Sequence, residues 1–283
     1  MNRNPHRTQN IAFFFLLLAT LLIVVPVGLI VVIIIQKGLP AINWQFISDI
    51  PRQGMRAGGI FPAIIGTIYL VTGAIIFALP IGLLAAIYLS EYSKDNPLNR
   101  IIKLAIVNLA GVPSVVYGLF GLALFVVFFK FGASILSGSL TLGIMILPIV
   151  ITTSREALES VPNSFREVSL SLGASKWQTI RNIVLPNAIP GILTGTILGL
   201  GRAAGETAPI LFTVAAFYLP QLPDSIFDQA MALPYHLYVI STQVPNVDEK
   251  VRYGTAFVLL ALVLFMNLVA IIIRTKFRKK KKW

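Results

Sequence analysis

The sequence predicts an all-α membrane protein of six transmembrane helices, with both termini on the inner side of the bilayer. Three observations carry that prediction. The 283 residues are 56% hydrophobic and only 12% charged, about half the charged share of an ordinary soluble domain, with a mean hydropathy of +0.83. The apolar residues gather in runs long enough to cross a hydrocarbon core of roughly 30 Å as helices, not in the short alternating stretches of a barrel. The Lys and Arg residues are shared unevenly between alternate connections. A soluble enzyme does not fit this composition.

Five runs are free of Asp, Glu, Lys and Arg: Ile11 to Ile35, Ala57 to Ser90, Leu104 to Phe129, Phe131 to Ser154, and Tyr253 to Ile273. A sixth, Asn182 to Pro223, is interrupted only by Arg202 and Glu206. In lipid the backbone N–H and C=O groups must bond within their own segment, so each run is most simply one helix. The first run is too long for a signal-peptide core and lacks a clear small-residue cleavage site, which makes it a retained anchor.

Charge fixes the orientation. With both termini inside, the inner side collects Arg3, Arg7, Lys94, Arg100, Lys103, Arg155, Arg166, Lys176, Arg181 and the tail residues Arg274, Lys276, Arg278, Lys279, Lys280, Lys281 and Lys282. The outer side receives Lys37, Arg52, Arg56, Lys130, Lys250 and Arg252, together with Asp49, Asp224, Asp228, Asp248 and Glu249. Basic residues favour the inner side, and the excess persists without the tail. The net charge of +12 is therefore foremost a matter of the tail and topology, and nucleic acid is not an expected partner. The chain has no Cys, hence no disulfide, thiolate metal site or cysteine nucleophile. His6 and His236 stand far apart without an evident ligand cluster, and no metal site is expected.

Two outer segments are long, Gln36 to Arg56 and Tyr218 to Arg252. Trp44 and Phe46 in the first, and Phe227, Tyr235 and Tyr238 around Pro234 in the second, fit an aromatic belt at the headgroups or a docking surface for an external partner. His236 is expected to be solvated or to face the headgroups.

The inner connection before the fifth run holds the clearest pattern. Ser164 with Glu167, and Ser175 with Gln178, have capping-box spacing, which predicts two short helices. Gly173 sits where the first should end, in the left-handed position that glycine adopts at least cost. Pro186 is placed to stop the second. Phe165, Val168, Trp177, Ile180 and Val184 are available to pack. An amphipathic pair resting on the membrane would read the same way. The spacing is more specific: Glu167, Gly173, then Ile183-x-Leu185-Pro186 resembles the coupling loop of ABC importer permeases, E-A-A-x3-G-x9-I-x-L-P, with Val168 and Ser169 in place of the two alanines. The resemblance implies that the loop at 155–186 docks into an ATP-hydrolysing subunit. The chain carries no G-x4-G-K-[ST] phosphate loop, so ATP and its Mg belong to that partner, and no cofactor is expected on this chain.

Arg202 and Glu206 are the remaining anomaly. A charge near the bilayer centre costs about 2.5–3.5 kcal/mol on insertion scales. Arg202 lies about 20 Å along a helix starting near Ile189. An ion pair within one helix at i, i+4 and a translocation site both fit. Ala203, Ala204 and Gly205 remove bulk around the pair, which suits close packing or a ligand passage, and an Arg fork matches an oxyanion.

The nonapeptide Gly201–Pro209 resembles the G-R-A-x-G-E-T-A-P signature of the A-type subunit of phosphate importer permeases. So do Gly59-Ile60-Phe61-Pro62-Ala63, Pro113-Ser114-Val115-Val116-Tyr117-Gly118 and the coupling loop. The resemblance implies a type I ABC importer permease in a bacterial cytoplasmic membrane, paired with a second homologous permease, an ATPase dimer and an extracytoplasmic phosphate-binding protein. It implies no catalysis on this chain. On that basis Arg202 attracts the anion, and Glu206 holds the Arg fork and accepts a hydrogen bond from a protonated phosphate oxygen; Thr207 and Ser114 are further lining candidates. A permease for sulfate or molybdate, or a non-conducting scaffold or sensor in phosphate signalling, are the alternatives. The expected organisation is an anchor and first outer segment at 1–58, a permease domain at 59–275 and a basic tail at 276–283.

Overall fold

The computed structural model describes residues 5–93 and 96–279; Arg3, Lys94 and Lys280 to Lys282, used above for orientation, lie outside the described residues. Helix α1 (Pro5–Gly38) passes through a 3-10 turn (Leu39–Ala41) to α2 (Trp44–Ser48). A small antiparallel hairpin of β1 (Pro51–Arg52) and β2 (Ala57–Gly58) follows; with an isolated bridge between Ala215 and Ala230, it departs from an all-α chain. Its turn holds Gln53, Gly54 and Met55 at positive φ. Then come α3 (Phe61–Ile87), which continues in a π turn (Tyr88–Tyr92), α4 (Pro97–Ala110) and α5 (Ser114–Gly121) with its own π turn (Leu122–Phe128). They are followed by α6 (Ile135–Glu159), α7 (Asn163–Ser171), α8 (Lys176–Thr179), a π turn (Ile180–Val184) and α9 (Leu185–Gly205). The chain ends with α10 (Ala208–Thr213), α11 (Leu233–Thr242) and α12 (Glu249–Lys279).

Among the described residues, five continuous helical stretches are long and apolar enough to span a membrane: 9–41, 61–92, 135–159, 176–205 and 249–278. The third predicted span, Leu104 to Phe129, is not one helix. It divides into α4 and α5, bent by 101°. Pro113 has no N–H to continue the ladder, and its ring would strike the carbonyl four residues back, so the chain turns at Gly111-Val112-Pro113. α4 opens on an Asn96 cap, whose Oδ1 accepts from the Asn99 N–H at 2.8 Å, and exposes Leu98, Ile101, Leu104 and Val107.

α3 and α6 run in parallel at the centre. Their close approach relies on glycines: a Cβ at Gly143 would meet the Phe77 ring at 2.6 Å, and one at Gly82 would meet Val150 at 2.7 Å. Small residues let membrane helices approach each other's backbones. α9 packs antiparallel to α6, with Gly191 against Ala157, and α12 packs on α9, with Asn267 beside Gly201. α1 packs chiefly on α12 and exposes its other faces. Two apolar clusters form. A large one around Leu70, Leu142, Met145, Ile146 and Ile210 fills the centre and outer half. A smaller one of Ala86, Ile87, Leu158, Val161, Ile180 and Val184 closes the inner end.

Charge contacts agree with the predicted assignment of connections to common sides. Lys37 at the end of α1 meets Glu249 at the start of α12 at 2.7 Å, both on the predicted outer side. Glu91 at the end of α3 meets Arg166 of α7, both inside. The second outer segment folds down onto the bundle: the Leu233 N–H donates to Thr67 Oγ1 at 2.8 Å, and Tyr218 Oη donates to the Pro51 carbonyl at 3.1 Å. Phe46 and Tyr235 are consequently buried, while Trp44, Phe227 and Tyr238 remain exposed. His236 is also buried, at 2% exposure, which corrects the expectation of a solvated imidazole. Docking of α11 excludes water from it and pushes its pKa down to about 4.

Candidate functional site

The fifth predicted span, Asn182 to Pro223, is also divided. α9 ends at Gly205; Glu206 follows in extended conformation (φ −76°, ψ 136°), and α10 begins at Ala208 with Pro209 in its first turn. Had the helix continued, the Pro209 ring would have struck the Gly205 carbonyl, its i−4 neighbour. Glu206 is therefore not a helical partner of Arg202 but the residue at a break. The ion pair within one helix is replaced by a pair bridging a helix end and the chain beyond it.

Arg202 Nε donates to Glu206 Oε1 at 3.5 Å, with the side chains 30% and 18% exposed. This is a long contact, since charge-assisted N–H···O⁻ bonds run about 2.7–2.9 Å. Among the described residues Arg202 has no other protein hydrogen-bond partner, so its Nη groups are open. On its other side Glu206 borders a small cavity of about 10 Å³, near the minimum for one water. Thr67, Leu70, Leu142 and Pro234 border it too, which sets the pair in the outer half of the bundle.

Thr207, next to Glu206, is half-buried, and its carbonyl accepts from the Leu211 N–H at 3.1 Å. Ser114, also half-buried, opens α5. That helix is fastened beside the break by Gly118, whose added Cβ would meet Phe212 at 2.8 Å and the Ala208 carbonyl at 3.0 Å. The structure thus brings Arg202, Glu206 and Thr207 together and sets Ser114 on the neighbouring helix. Tyr117 stands near Arg202 and donates to the Leu109 carbonyl at 2.7 Å; it lies inside the Pro113–Gly118 motif, whose sequence does not single it out. Thr67 joins the site from a distant helix, and nothing in its local sequence signals that.

The inner loop forms the second site. α7 ends at Ser171, with Gly173 just beyond it at φ +86°, and α8 begins on a complete capping box: the Gln178 N–H donates to Ser175 Oγ at 3.3 Å, and the Ser175 N–H donates to Gln178 Oε1 at 2.7 Å. Two local expectations are corrected. Ser164 caps nothing, because α7 starts one residue earlier behind Pro162. Pro186 stops nothing, because the π turn at Ile180–Val184 lets α8 run on into α9, placing Pro186 in the first turn of α9, where a missing N–H is tolerated.

Ile180 and Val184 are buried, Phe165 and Leu185 pack on the same inner cluster, and Ile183 is half-buried. Glu167 is exposed, and around it Val168, Leu170, Leu172 and Trp177 expose large apolar surfaces, Leu172 at 83%. Val168 and Trp177 thus lie outside the packing expected of them. Ser169, at the second alanine position, hydrogen-bonds Thr179 at 2.8 Å and joins α7 to α8.

A bundle of membrane helices with a broken helix at an ion pair, and an inner loop of two short helices presenting apolar side chains, fits a polytopic membrane component of a transport system. The family model described as the binding-protein-dependent transport system inner membrane component matches residues 78–283, and the chain belongs to that family. It is a multi-pass protein of the cytoplasmic membrane and a transport subunit, not an enzyme. The Bacillus subtilis (strain 168) protein "Probable ABC transporter permease protein YqgI" is 34% identical over 90% of both chains. "Phosphate transport system permease protein PstA" of Xylella fastidiosa (strain Temecula1 / ATCC 700964) is 34% identical over 84% of this chain and 82% of its own. Among solved structures, a bacterial alginate ABC transporter in complex with alginate pentasaccharide-bound periplasmic protein superimposes with a TM-score of 0.62 at 15% identity, over 97% of this chain and 95% of its own. At that identity the likeness is one of fold.

Proposed function

We propose that this chain is a permease subunit of an ATP-driven importer of inorganic phosphate. It forms half of the path with a second homologous permease, receives phosphate from an extracytoplasmic binding protein, and couples through residues 155–186 to a separate ATPase dimer that holds ATP and Mg. The observation that carries the substrate reading is the loose Arg202–Glu206 pair at the helix break. Its guanidinium keeps open donors for an oxyanion, and its carboxylate, held by one long contact, retains acceptor capacity for a P–OH proton. Fully ionised sulfate offers no such proton, so the carboxylate repels it. Relatives named as phosphate transport permeases support the same reading. The exposed Val168, Leu170, Leu172 and Trp177 are the apolar contacts offered to the ATPase.

The test is uptake by the complete complex in liposomes. Arg202→Ala should lower phosphate uptake by about tenfold to a hundredfold, the loss of one hydrogen bond to a charged group at about 1.5–3 kcal/mol. Glu206→Gln should narrow phosphate-over-sulfate discrimination by about tenfold, or about 1.4 kcal/mol. Wild-type uptake by an assembled Arg202→Ala complex removes Arg202 from the path, and unchanged discrimination in Glu206→Gln ends the selectivity role. Full flux after removal of this chain favours a scaffold.

A further inference from the structure

The coupling loop reaches the bundle by two routes, of which the sequence displays one. α8 runs into α9 through the π turn, so any displacement of α8 passes along that helix to Arg202. α7 has no helical continuation into a span. It is joined to α8 by the Ser169–Thr179 hydrogen bond, and to the inner ends of α3 and α6 by Arg166.

Arg166 uses its whole fork. Nη2 donates to Glu91 Oε1 at 2.7 Å, and Nε donates to both Glu91 oxygens at 3.2 and 3.3 Å. Nη1 donates to the Val161 carbonyl at 2.6 Å and to Asn163 Oδ1 at 3.4 Å, and Nη2 also donates to the Leu158 carbonyl at 2.9 Å. The two side chains are 17% and 7% exposed. Leu158 lies in the last turn of α6 and Val161 just beyond its end, where the negative end of the helix dipole favours a cation. Glu91 lies on the π turn that ends α3, whose wide i→i+5 pairing is seen in the Ser93 N–H donating to the Tyr88 carbonyl at 2.8 Å. Lys176 of α8 lies over the Tyr92 ring of the same turn, 5.0 Å from its centroid. One guanidinium thus joins α7 to the inner ends of both central helices, the helices whose outer halves border Glu206.

We infer that Arg166 and Glu91 are positioning residues for transport: they make α3 and α6 move with α9 when the ATPase displaces the loop. Without them, α9 moves and the central pair lags. The inference rests on the ATP-driven permease reading but not on the identity of the cargo.

The experiment uses the full transporter complex, as wild type, Glu91→Gln, Arg166→Lys and the conservative control Glu91→Asp. In liposomes, phosphate taken up is measured per ATP hydrolysed. Glu91→Gln and Arg166→Lys should assemble normally and hydrolyse ATP within about twofold of wild type, while uptake per ATP falls by about tenfold; Glu91→Asp should regain most of it. Independently of any cargo, spin labels replace the exposed Tyr69 of α3 and Leu198 of α9, and their separation is read before and after trapping the ATPase closed. It should stay constant in the wild-type background and shift or broaden with Glu91→Gln. A constant separation in Glu91→Gln overturns the inference, as does a wild-type uptake-to-ATP ratio, or a fall of both activities in proportion to lost assembly. Because the labels report without cargo, a failure of the phosphate reading alone leaves that arm decisive.

Discussion

His236 shows how far a single residue can depart from its sequence context. It lies in a polar-flanked outer segment, yet α11 carries it into the bundle, where its Nδ1 finds no partner among the described residues. Its folded pKa of about 4 lies below the ordinary value of about 6.5, so the unfolded chain binds the proton more readily. Stability is fully present above about pH 6.5 and is lost as pH falls toward 4, by about 3 kcal/mol in all. Thermal denaturation of the detergent-solubilised protein between pH 7 and 4.5 should therefore show a fall in Tm that His236→Leu flattens. Gly118 supports a second expectation. A methyl group there meets the Ala208 carbonyl and Pro209 Cα at 3.0 Å, backbone atoms that cannot step aside. Gly118→Ala should cost about 1–3 kcal/mol through overpacking, seen as a lower Tm, and should weaken uptake by pushing α5 from the break.

At the scale of elements, the spans were legible because an apolar run is a one-dimensional signal that needs no partner. Breaks carried local signals too. Gly111-Val112-Pro113 and Pro209 both remove the N–H and the space a helix requires, and reading the runs as unbroken missed them. The opposite error at Pro186 had no signal of that kind: a π turn excuses a proline only once the helix is built. The inner loop was legible at Ser175, Gln178 and Gly173, where cap chemistry is local, but not at Glu91, which finds Arg166 across 75 residues. The Ser169–Thr179 pair gives a test at this scale. Ser169→Ala leaves the buried Thr179 hydroxyl unpaired and should cost about 1–2 kcal/mol, whereas adding Thr179→Val should recover most of it. A double-mutant cycle on Tm measures the coupling; additive losses would separate α7 from α8.

For the whole molecule, the excess of basic residues on the inner side survives without the tail. Replacing Lys279 to Lys282 with glutamine should leave both termini inside when topology is mapped with reporter fusions, and an inverted terminus would make the tail the determinant. The ion pair was legible as an anomaly because so few charges interrupt the apolar runs. The environment that gives it meaning was not, since Thr67, Tyr117 and Pro234 come to it from three other helices.

The uninterrupted helix from Lys176 to Gly205 has a mechanical consequence. Trp177 at one end and Arg202 near the other stand 25 residues apart, about 38 Å at 1.5 Å per residue. A tilt of about 5° about the inner end swings the guanidinium through about 3 Å, roughly the length of one hydrogen bond. On the proposed reading, a motion at the ATPase too small to open a passage by itself would be magnified along this single rod at Arg202, enough to separate holding an oxyanion from letting it go.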